Sequence, residues 1–131
     1  MAELQKLDFS ALAALAAASA RVTAACTCHS GDLASWTSVP LSLIEADFIE
    51  VGTLLEDPFV EPTFVEFHPS GTRYGSPDAP IAPRYFPYNR CIVAKCQRCG
   101  RCFLRYTEAG GYFVDPRIRA LAPQLLVDAA L

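Results

Sequence analysis

Four of the six cysteines in this chain lie close together, between residues 91 and 102, and two of them form the motif C-x-x-C-G at Cys96, Cys99 and Gly100. Two cysteines separated by two residues can place both sulfurs about 2.3 Å from one zinc ion, around a tight turn. The glycine lets the backbone turn without a clash at Cβ. The motif therefore predicts a turn that binds a metal ion.

The residues around this motif extend the pattern. Apolar residues predict a strand from about Cys91 to Lys95, and the segment CFLRYTEAGGYFVD predicts a hairpin that turns between Glu108 and Gly111. With these features, residues 91–114 resemble a zinc knuckle of the zinc-ribbon or treble-clef kind. The resemblance implies a structural zinc ion held by four protein ligands.

The resemblance requires a second ligand pair, and this chain has no separate second C-x-x-C, since Cys99 and Cys102, which have the same spacing, share Cys99 with the first motif. The segment ACTCHSG, which follows the predicted first helix, is the nearest alternative. Cys91 is weakened as a ligand because five positions separate it from Cys96, so the two side chains point to opposite faces of a strand. We predict the ligands Cys26, Cys28, Cys96 and Cys99, with the substitutes His29, Cys91 and Cys102.

Three other roles for the thiols stay open. Cys91, Cys96 and Cys99 have the C-x4-C-x2-C spacing of plant-type 2Fe–2S clusters, although such a cluster needs a glycine-rich loop where a strand is predicted. A C-x-x-C pair can also be a redox dithiol, but that motif normally opens a helix, which lowers the pKa of the first thiol. The third alternative is burial as free thiols, above all for Cys91 or Cys102.

The charges divide along the chain. Residues 1–66 carry ten acidic and two basic side chains, whereas residues 67–131 carry nine basic and four acidic ones. Between Arg84 and Arg105 there are six cations and no carboxylate, and the aromatic residues of RYFPYNR suit stacking on bases. However, the pI is about 5.3, far below that of typical nucleic-acid-binding domains. The favoured interpretation is that the two halves complement each other's charge.

The composition is that of a globular protein: 131 residues, 52% hydrophobic and 19% charged. No apolar run reaches the ~20 residues that cross a bilayer. The N-terminus is rich in alanine before Cys26, but it carries Glu3 and Asp8 against Lys6 and so lacks the positive region of a signal peptide. We therefore predict a cytoplasmic protein without membrane association, in which cysteines serve a metal rather than disulfides.

Two helices are predicted in the N-terminal half. The first runs from about Phe9 to Ala25, with Asp8 as its cap, and its apolar stripe faces either the core or a second copy of the chain. The second begins at Ser42, where SLIE resembles a capping box, and ends before Pro58.

The C-terminal half is predicted to be mainly β structure. TFVEFH predicts a strand and HPSG a turn, followed by a stiff connector with four prolines between residues 77 and 87. After the hairpin, Asp115 and Pro116 resemble the start of a short helix through RIRAL, and the apolar tail is expected to dock.

Together these elements predict an α+β fold: N-terminal helices packed on a small antiparallel β module with a zinc-knuckle hairpin. We expect a single domain over residues 1–131, with a helical part at about 1–57 and a β and zinc-knuckle part at about 58–131.

No nucleophile elbow, phosphate-binding glycine loop or metalloprotease histidine pair is present in the sequence. We predict a non-enzymatic zinc-binding protein that acts by protein–protein interaction, as an adaptor, an inhibitor or an immunity-type protein. The residues predicted to contact the partner are Arg84, Tyr85, Phe86, Tyr88 and Arg90. The alternatives are a nucleic-acid-binding zinc ribbon and an iron–sulfur or thiol redox protein, and a homodimer through the N-terminal helix is a further alternative.

Overall fold

The computed structural model describes residues 4–28, 31–110 and 112–131. Within these ranges one α-helix and a five-stranded antiparallel sheet form an α+β fold, the class that the sequence predicts. The elements are α1 (Phe9–Ala20), β1 (Thr37–Ser38), β2 (Phe48–Thr53), β3 (Ile92–Cys96), β4 (Cys102–Gly110) and β5 (Phe113–Ala120). The strand order across the sheet is β1-β5-β4-β3-β2. No helix in the described ranges has the length and apolar character needed to cross a membrane.

Helix α1 begins where the sequence predicts. The Asp8 carboxylate accepts a hydrogen bond from the Ala11 N–H at 2.7 Å, which satisfies one of the free donors of the first turn. Leu12 and Ala16 are fully buried, in one core with residues of the sheet. The apolar side of the helix therefore packs on its own chain.

The helix ends at Ala20 rather than at Ala25. The Val22 N–H donates to the Ser19 carbonyl at 3.1 Å, which tightens and closes the last turn. Val22 and Thr23 are β-branched and lose side-chain freedom in a helix. This early end turns the chain towards the sheet ahead of its first two cysteines.

The sheet has a buried core on each face, because successive side chains of a strand point to opposite sides. The first core contains residues of α1 together with Trp36, Leu54, Ile81, Tyr88, Cys91, Val93, Cys102, Leu104, Tyr106 and Leu121. The second core is smaller and contains Cys28, Leu33, Leu43, Cys96, Phe103 and Ile118. Cys91 and Cys96 thus lie on opposite faces, as their odd spacing predicts.

The second predicted helix is wrong. A single 3-10 turn, Glu45–Asp47, leads directly into strand β2. Phe48 packs against the second core and Val51 against the first, an arrangement that suits aromatic and β-branched residues in a strand. The Glu45 carboxylate caps no helix. Instead it accepts two hydrogen bonds from the Arg105 guanidinium, at 2.8 and 3.1 Å.

The strand predicted in TFVEFH is also wrong, because the backbone of this segment bonds to side chains. The Thr63 carbonyl accepts hydrogen bonds from Asn89 Nδ2 at 2.8 Å and from Arg90 Nη2 at 3.0 Å. The turn predicted at HPSG is confirmed by a bond of 3.1 Å from the Gly71 N–H to the His68 carbonyl. The segment is therefore irregular but anchored.

The short helix predicted at RIRAL is wrong, since these residues belong to strand β5. Pro116 pairs with Thr107 of β4, and its carbonyl accepts from the Val39 N–H at 2.8 Å. The N–H and C=O of one residue in an antiparallel strand face the same neighbour. The nitrogen of Pro116 therefore faces away from β4, and its missing hydrogen removes no bond between β4 and β5.

The hairpin of β4 and β5 and the docked tail are confirmed, but the turn does not begin at Glu108, because Glu108 and Ala109 pair with Asp115 and Val114; Gly111 lies outside the described residues. Register pairs join the two strands from Phe103 opposite Ala120 to the hairpin end. The Ile81 N–H donates to the Leu125 carbonyl at 2.8 Å, and the Val127 N–H donates to the Ile81 carbonyl at 3.0 Å. The tail thereby covers the first core beside the proline-rich connector.

Gly52 allows β2 to lie against the segment that precedes α1. A Cβ atom at Gly52 would fall 2.5 Å from Cγ of Leu7, which is itself buried. We expect Gly52→Ala to lower the free energy of unfolding by about 1–3 kcal/mol, because Leu7 must be displaced. Gly75→Ala is the control, since no atom lies within 4 Å of its Cβ position; we expect a change within about 0.5 kcal/mol in urea unfolding. Equal losses in the two variants would contradict this packing.

Arg119 joins several segments over the first core. Its fully buried side chain donates hydrogen bonds to the Tyr88 hydroxyl and to the carbonyls of Ala34, Pro77 and Ala79. Its partners are therefore neutral oxygens, and the cation replaces water as their donor.

We expect Arg119→Ala to lower the free energy of unfolding by about 3 kcal/mol or more, because each buried acceptor left without a donor costs about 1–3 kcal/mol. Arg84→Ala removes an exposed ion pair with Asp128 and should cost less than about 1 kcal/mol. Urea unfolding of both variants checks this. A loss at Arg119 no larger than the loss at Arg84 would show that the buried guanidinium is dispensable.

Candidate metal centre

The sulfur atoms of four cysteines come together beside the second core. The Sγ atoms of Cys26, Cys28, Cys96 and Cys99 all lie within 4.8 Å of one another. Cys28 Sγ and Cys99 Sγ are 3.7 Å apart. Four sulfurs at about 2.3 Å from a tetrahedral ion are about 3.8 Å from one another. The four cysteines could therefore hold a metal ion.

The turn between β3 and β4 positions the second pair. Strand β3 ends at Cys96, whose carbonyl accepts from the Gly100 N–H at 2.8 Å and whose N–H donates to the Arg101 carbonyl at 2.9 Å. Gly100 has φ +90°, in the left-handed region that side chains with a Cβ disfavour. The glycine of C-x-x-C-G is thus required by the turn that places Cys99 beside Cys96.

The segment after α1 positions the first pair. At the end of the helix, Ser19 Oγ accepts from the Cys102 N–H at 2.9 Å. Farther along, Arg98 Nη1 donates to Thr27 Oγ1 at 3.3 Å. These bonds hold residues 19–27 against the start of β4 and the β3–β4 turn. The segment after α1 can reach the β3–β4 turn because the helix ends at Ala20.

The centre is enclosed on one side. Cys28 and Cys96 are buried, whereas Cys26 and Cys99 are half-buried. Leu33 and Phe103 pack in the same core as the two buried cysteines. Leu33 has a positive φ of 50°, and its carbonyl accepts from the Ala120 N–H at 2.8 Å. The apolar cover limits access of water to the two inner sulfurs.

The thiols differ in acidity. Burial raises the pKa of Cys28, and the neighbouring thiols raise it further. Burial also acts to raise the pKa of Cys99, but the Arg101 N–H, the thiols of Cys28 and Cys96, and the Arg101 side chain outweigh it and lower that pKa to about 7. The fold thus already stabilises a thiolate at the ligand nearest to Arg101, and metal binding requires thiolates.

The Arg101 side chain, which helps to lower the pKa of Cys99, also shows that this place suits negative charge. Its Nη2 donates to the Val22 carbonyl at 3.4 Å, whereas its Nη1 is buried without a hydrogen-bond partner in the part of the chain that the structure describes. A buried donor without an acceptor is costly. Thiolates bound to a divalent ion would supply that acceptor charge, so the residues present fit a metal ion.

Ser19 and Arg101 contribute to the centre but are not among the residues predicted to form it. The role of Arg101 could have been predicted, because this residue directly follows C-x-x-C-G. The role of Ser19 could not have been predicted, since its partner Cys102 is 83 positions away and only the fold brings them together.

The substitute ligands lie elsewhere. Cys91 is fully buried in the first core, and its thiol donates to the Pro87 carbonyl at 3.2 Å. Cys102 is buried in the same core, and burial raises the pKa of both thiols. His29 lies outside the described residues. The spacing typical of plant-type 2Fe–2S ligands is therefore not matched in space, since Cys91 lies across the sheet from Cys96.

The residues predicted to contact a partner make contacts within the chain: Arg84, Tyr85, Phe86, Tyr88 and Arg90. Tyr88 is 5% exposed and accepts a hydrogen bond from Trp36 Nε1 at 3.3 Å, so it belongs to the core and not to the surface. Arg90 bonds to backbone carbonyls and lies over the ring of Phe64, at 4.3 Å from its centre.

A ligand substitution should separate the centre from the other thiols. We expect Cys28→Ser to weaken binding of Zn²⁺ by more than about a hundredfold, because loss of a residue that merely supports a ligand already costs 10–100-fold. Cys91→Ser is the control, because it changes an equally buried thiol on the other face. Zinc titration against a competing chelator measures both affinities. Equal affinity in the two variants would exclude Cys28 as a ligand.

Comparison with protein-family models, with curated proteins and with solved structures finds no match to this chain. What the four sulfurs do must therefore be inferred from their geometry and from the chemistry of their surroundings.

Proposed function

We propose that Cys26, Cys28, Cys96 and Cys99 hold one zinc ion in a structural site, and that the β3–β4 turn is a zinc knuckle. The observation that carries the proposal is the position of the four sulfurs, all within 4.8 Å of one another. Sulfur-only tetrahedral sites select zinc or iron. Zinc is favoured because it binds as a single ion, without the inorganic sulfide of an iron–sulfur cluster. The distance of 3.7 Å between Cys28 Sγ and Cys99 Sγ also fits a single zinc ion.

The compactness of the centre supports one ion rather than an iron–sulfur cluster. A two-iron cluster divides its four cysteines between two metal atoms, which spreads the sulfurs apart. Here Cys28 Sγ lies 3.7 Å from Cys99 Sγ, although one belongs to each pair. That distance is close to the ~3.8 Å edge of a tetrahedron around one zinc ion.

A structural role follows from the ligand count and from the connections. Four cysteine ligands close the coordination sphere, so no position is left for a reacting water. The ion would join the segment after α1 to the β3–β4 turn, two parts of the chain that otherwise meet through a few hydrogen bonds. Its binding free energy would then stabilise the fold.

The activity we propose is binding to another protein, without catalysis. Several large apolar side chains of one short segment are exposed, among them Phe59 at 94%, Val60 at 62% and Phe64 at 59%, and exposed apolar patches on a protein often mark interaction sites. An adaptor, an inhibitor or an immunity-type protein would work in this way.

Nucleic acid is disfavoured because two of the arginines expected to contact it are paired with carboxylates. Arg105 forms a two-bond ion pair with Glu45, and Arg98 lies 3.5 Å from Asp47. Both pairs join the basic half of the sequence to the acidic half. The opposite charges of the two halves thus act inside the molecule, which leaves fewer cations free to contact phosphates.

Chelation tests the proposal. We expect about one zinc per chain in protein purified without added metal. Removal of zinc should lower the melting temperature by several degrees or more, because metal binding is part of the folding free energy. The double variant Cys96→Ser, Cys99→Ser should contain no zinc and should not respond to the chelator.

The matched control is Cys91→Ser, Cys102→Ser, which changes two buried thiols outside the centre and should keep its zinc. A double variant at Cys96 and Cys99 that melts at the temperature of the zinc-loaded protein would refute a structural site. Iron in place of zinc would refute the identity of the metal.

A further inference from the structure

A cavity of about 410 Å³ opens at the start of helix α1, away from the cysteine centre. Leu12 and Leu54, both buried, lie at its floor, and Val60, Pro62 and Pro83 are among its walls. Its size falls in the range of ~300–1,000 Å³ that is typical of ligand pockets, and such pockets are mostly apolar. The cavity can therefore receive apolar groups from outside.

The cavity is surrounded by charged residues: Lys6, Asp8, Glu56, Asp57, Arg84 and Asp128. Both cations are paired. Lys6 Nζ lies 3.1 Å from a Glu56 oxygen, and Arg84 Nη1 lies 3.4 Å from an Asp128 oxygen. The two pairs cancel. Arg90 donates to the Pro62 carbonyl at the cavity wall and has no carboxylate partner in the described residues, so the two other carboxylates outnumber the unpaired cations by one.

Asp8 and Asp57 have no cation partner in the described part of the chain. Their carboxylates accept backbone hydrogen bonds from Ala11 at 2.7 Å and from Phe59 at 2.9 Å. These bonds hold both groups in place. The N-terminal end of α1 offsets part of the charge of Asp8, and no cation in the described residues offsets that of Asp57. A ligand with a positive group beside its apolar part complements this rim, and an anionic ligand is repelled.

The apolar surface continues beyond the cavity. In the irregular segment that follows Asp57, Phe59 is 94% exposed, Val60 is 62% exposed, and Phe64 and Val65 are each 59% exposed. A small molecule would fill only the cavity and leave Phe59, Phe64 and Val65 in water. A polypeptide could cover both, because it presents several side chains in a row.

We infer that the cavity and the exposed residues Phe59, Val60, Phe64 and Val65 form a docking cleft for a basic, apolar segment of a partner protein. An apolar side chain of that segment enters the cavity above Leu12 and Leu54. A neighbouring Lys or Arg of the segment lies at the rim. The inference deepens the proposed function and rests on its part that concerns binding, because it names the kind of partner.

A synthetic probe tests the docking cleft. A short labelled peptide of alternating leucine and lysine is titrated with the full chain loaded with zinc, and fluorescence anisotropy is followed. We expect saturable binding that weakens as salt is added, and no binding of the same peptide with glutamate in place of lysine. Absence of saturable binding by the leucine–lysine peptide would overturn the inference.

Two matched variants show where the probe binds. Val60 and Val114 are equally exposed, at 62% and 64%, but Val114 lies in strand β5 and does not line the cavity. Val60→Lys should raise the Kd of the peptide at least tenfold, which corresponds to about 1.4 kcal/mol. Val114→Lys adds the same charge and should change the Kd less than twofold. Equal effects would show unspecific attraction and overturn the inference.

Two further readouts separate the alternatives. If n-hexylamine displaces the peptide at a similar concentration, the cavity is a site for small amines and the docking of a protein segment is refuted. The zinc content of each protein is measured in the same samples. Lack of peptide binding with zinc present would refute the docking cleft alone, whereas peptide binding without zinc would refute the metal site alone.

Discussion

The second core depends on one contact: the segment after α1 packs against the β3–β4 turn, which brings Cys28 beside Cys96. That core is small, and its cover consists of an irregular segment with a two-residue strand, β1. Such a cover has few backbone hydrogen bonds of its own. Four sulfurs within 4.8 Å of one another could add to the hydrogen bonds between the two segments, because one bound ion would hold two parts of the chain that lie far apart in sequence.

The same helix connects the two places where function is proposed. Asp8 caps the start of α1 and contributes negative charge to the proposed docking cleft, while Ser19 near its end bonds to Cys102 beside the cysteine centre. Leu12 lies between them and forms part of the first core and of the cavity floor. An ion that fixes the end of the helix would therefore also help to fix the cleft, at a distance and through packed side chains.

The cysteine centre was more readable from the sequence than most of the fold. Ligand chemistry demands particular residue types at short spacing, so C-x-x-C-G indicated Cys96, Cys99 and their turn directly. The prediction of the second helix was wrong because its apolar residues, from Ile44 to Leu55, are spaced as on one face of a helix. In the structure, Phe48–Thr53 pairs with β3 and forms a strand instead. Propensity could not predict that long-range pairing. Similarly, nothing local shows that Arg119 is buried, since its four oxygen partners come from distant segments.

X-ray absorption at the zinc edge, on protein purified without added metal, would show directly whether four cysteines bind one zinc ion. We expect one zinc per chain with four sulfur neighbours at about 2.3 Å and no nitrogen or oxygen neighbour. A spectrum with fewer than four sulfurs, or protein without zinc that melts as high as protein with zinc, would contradict the proposed structural site.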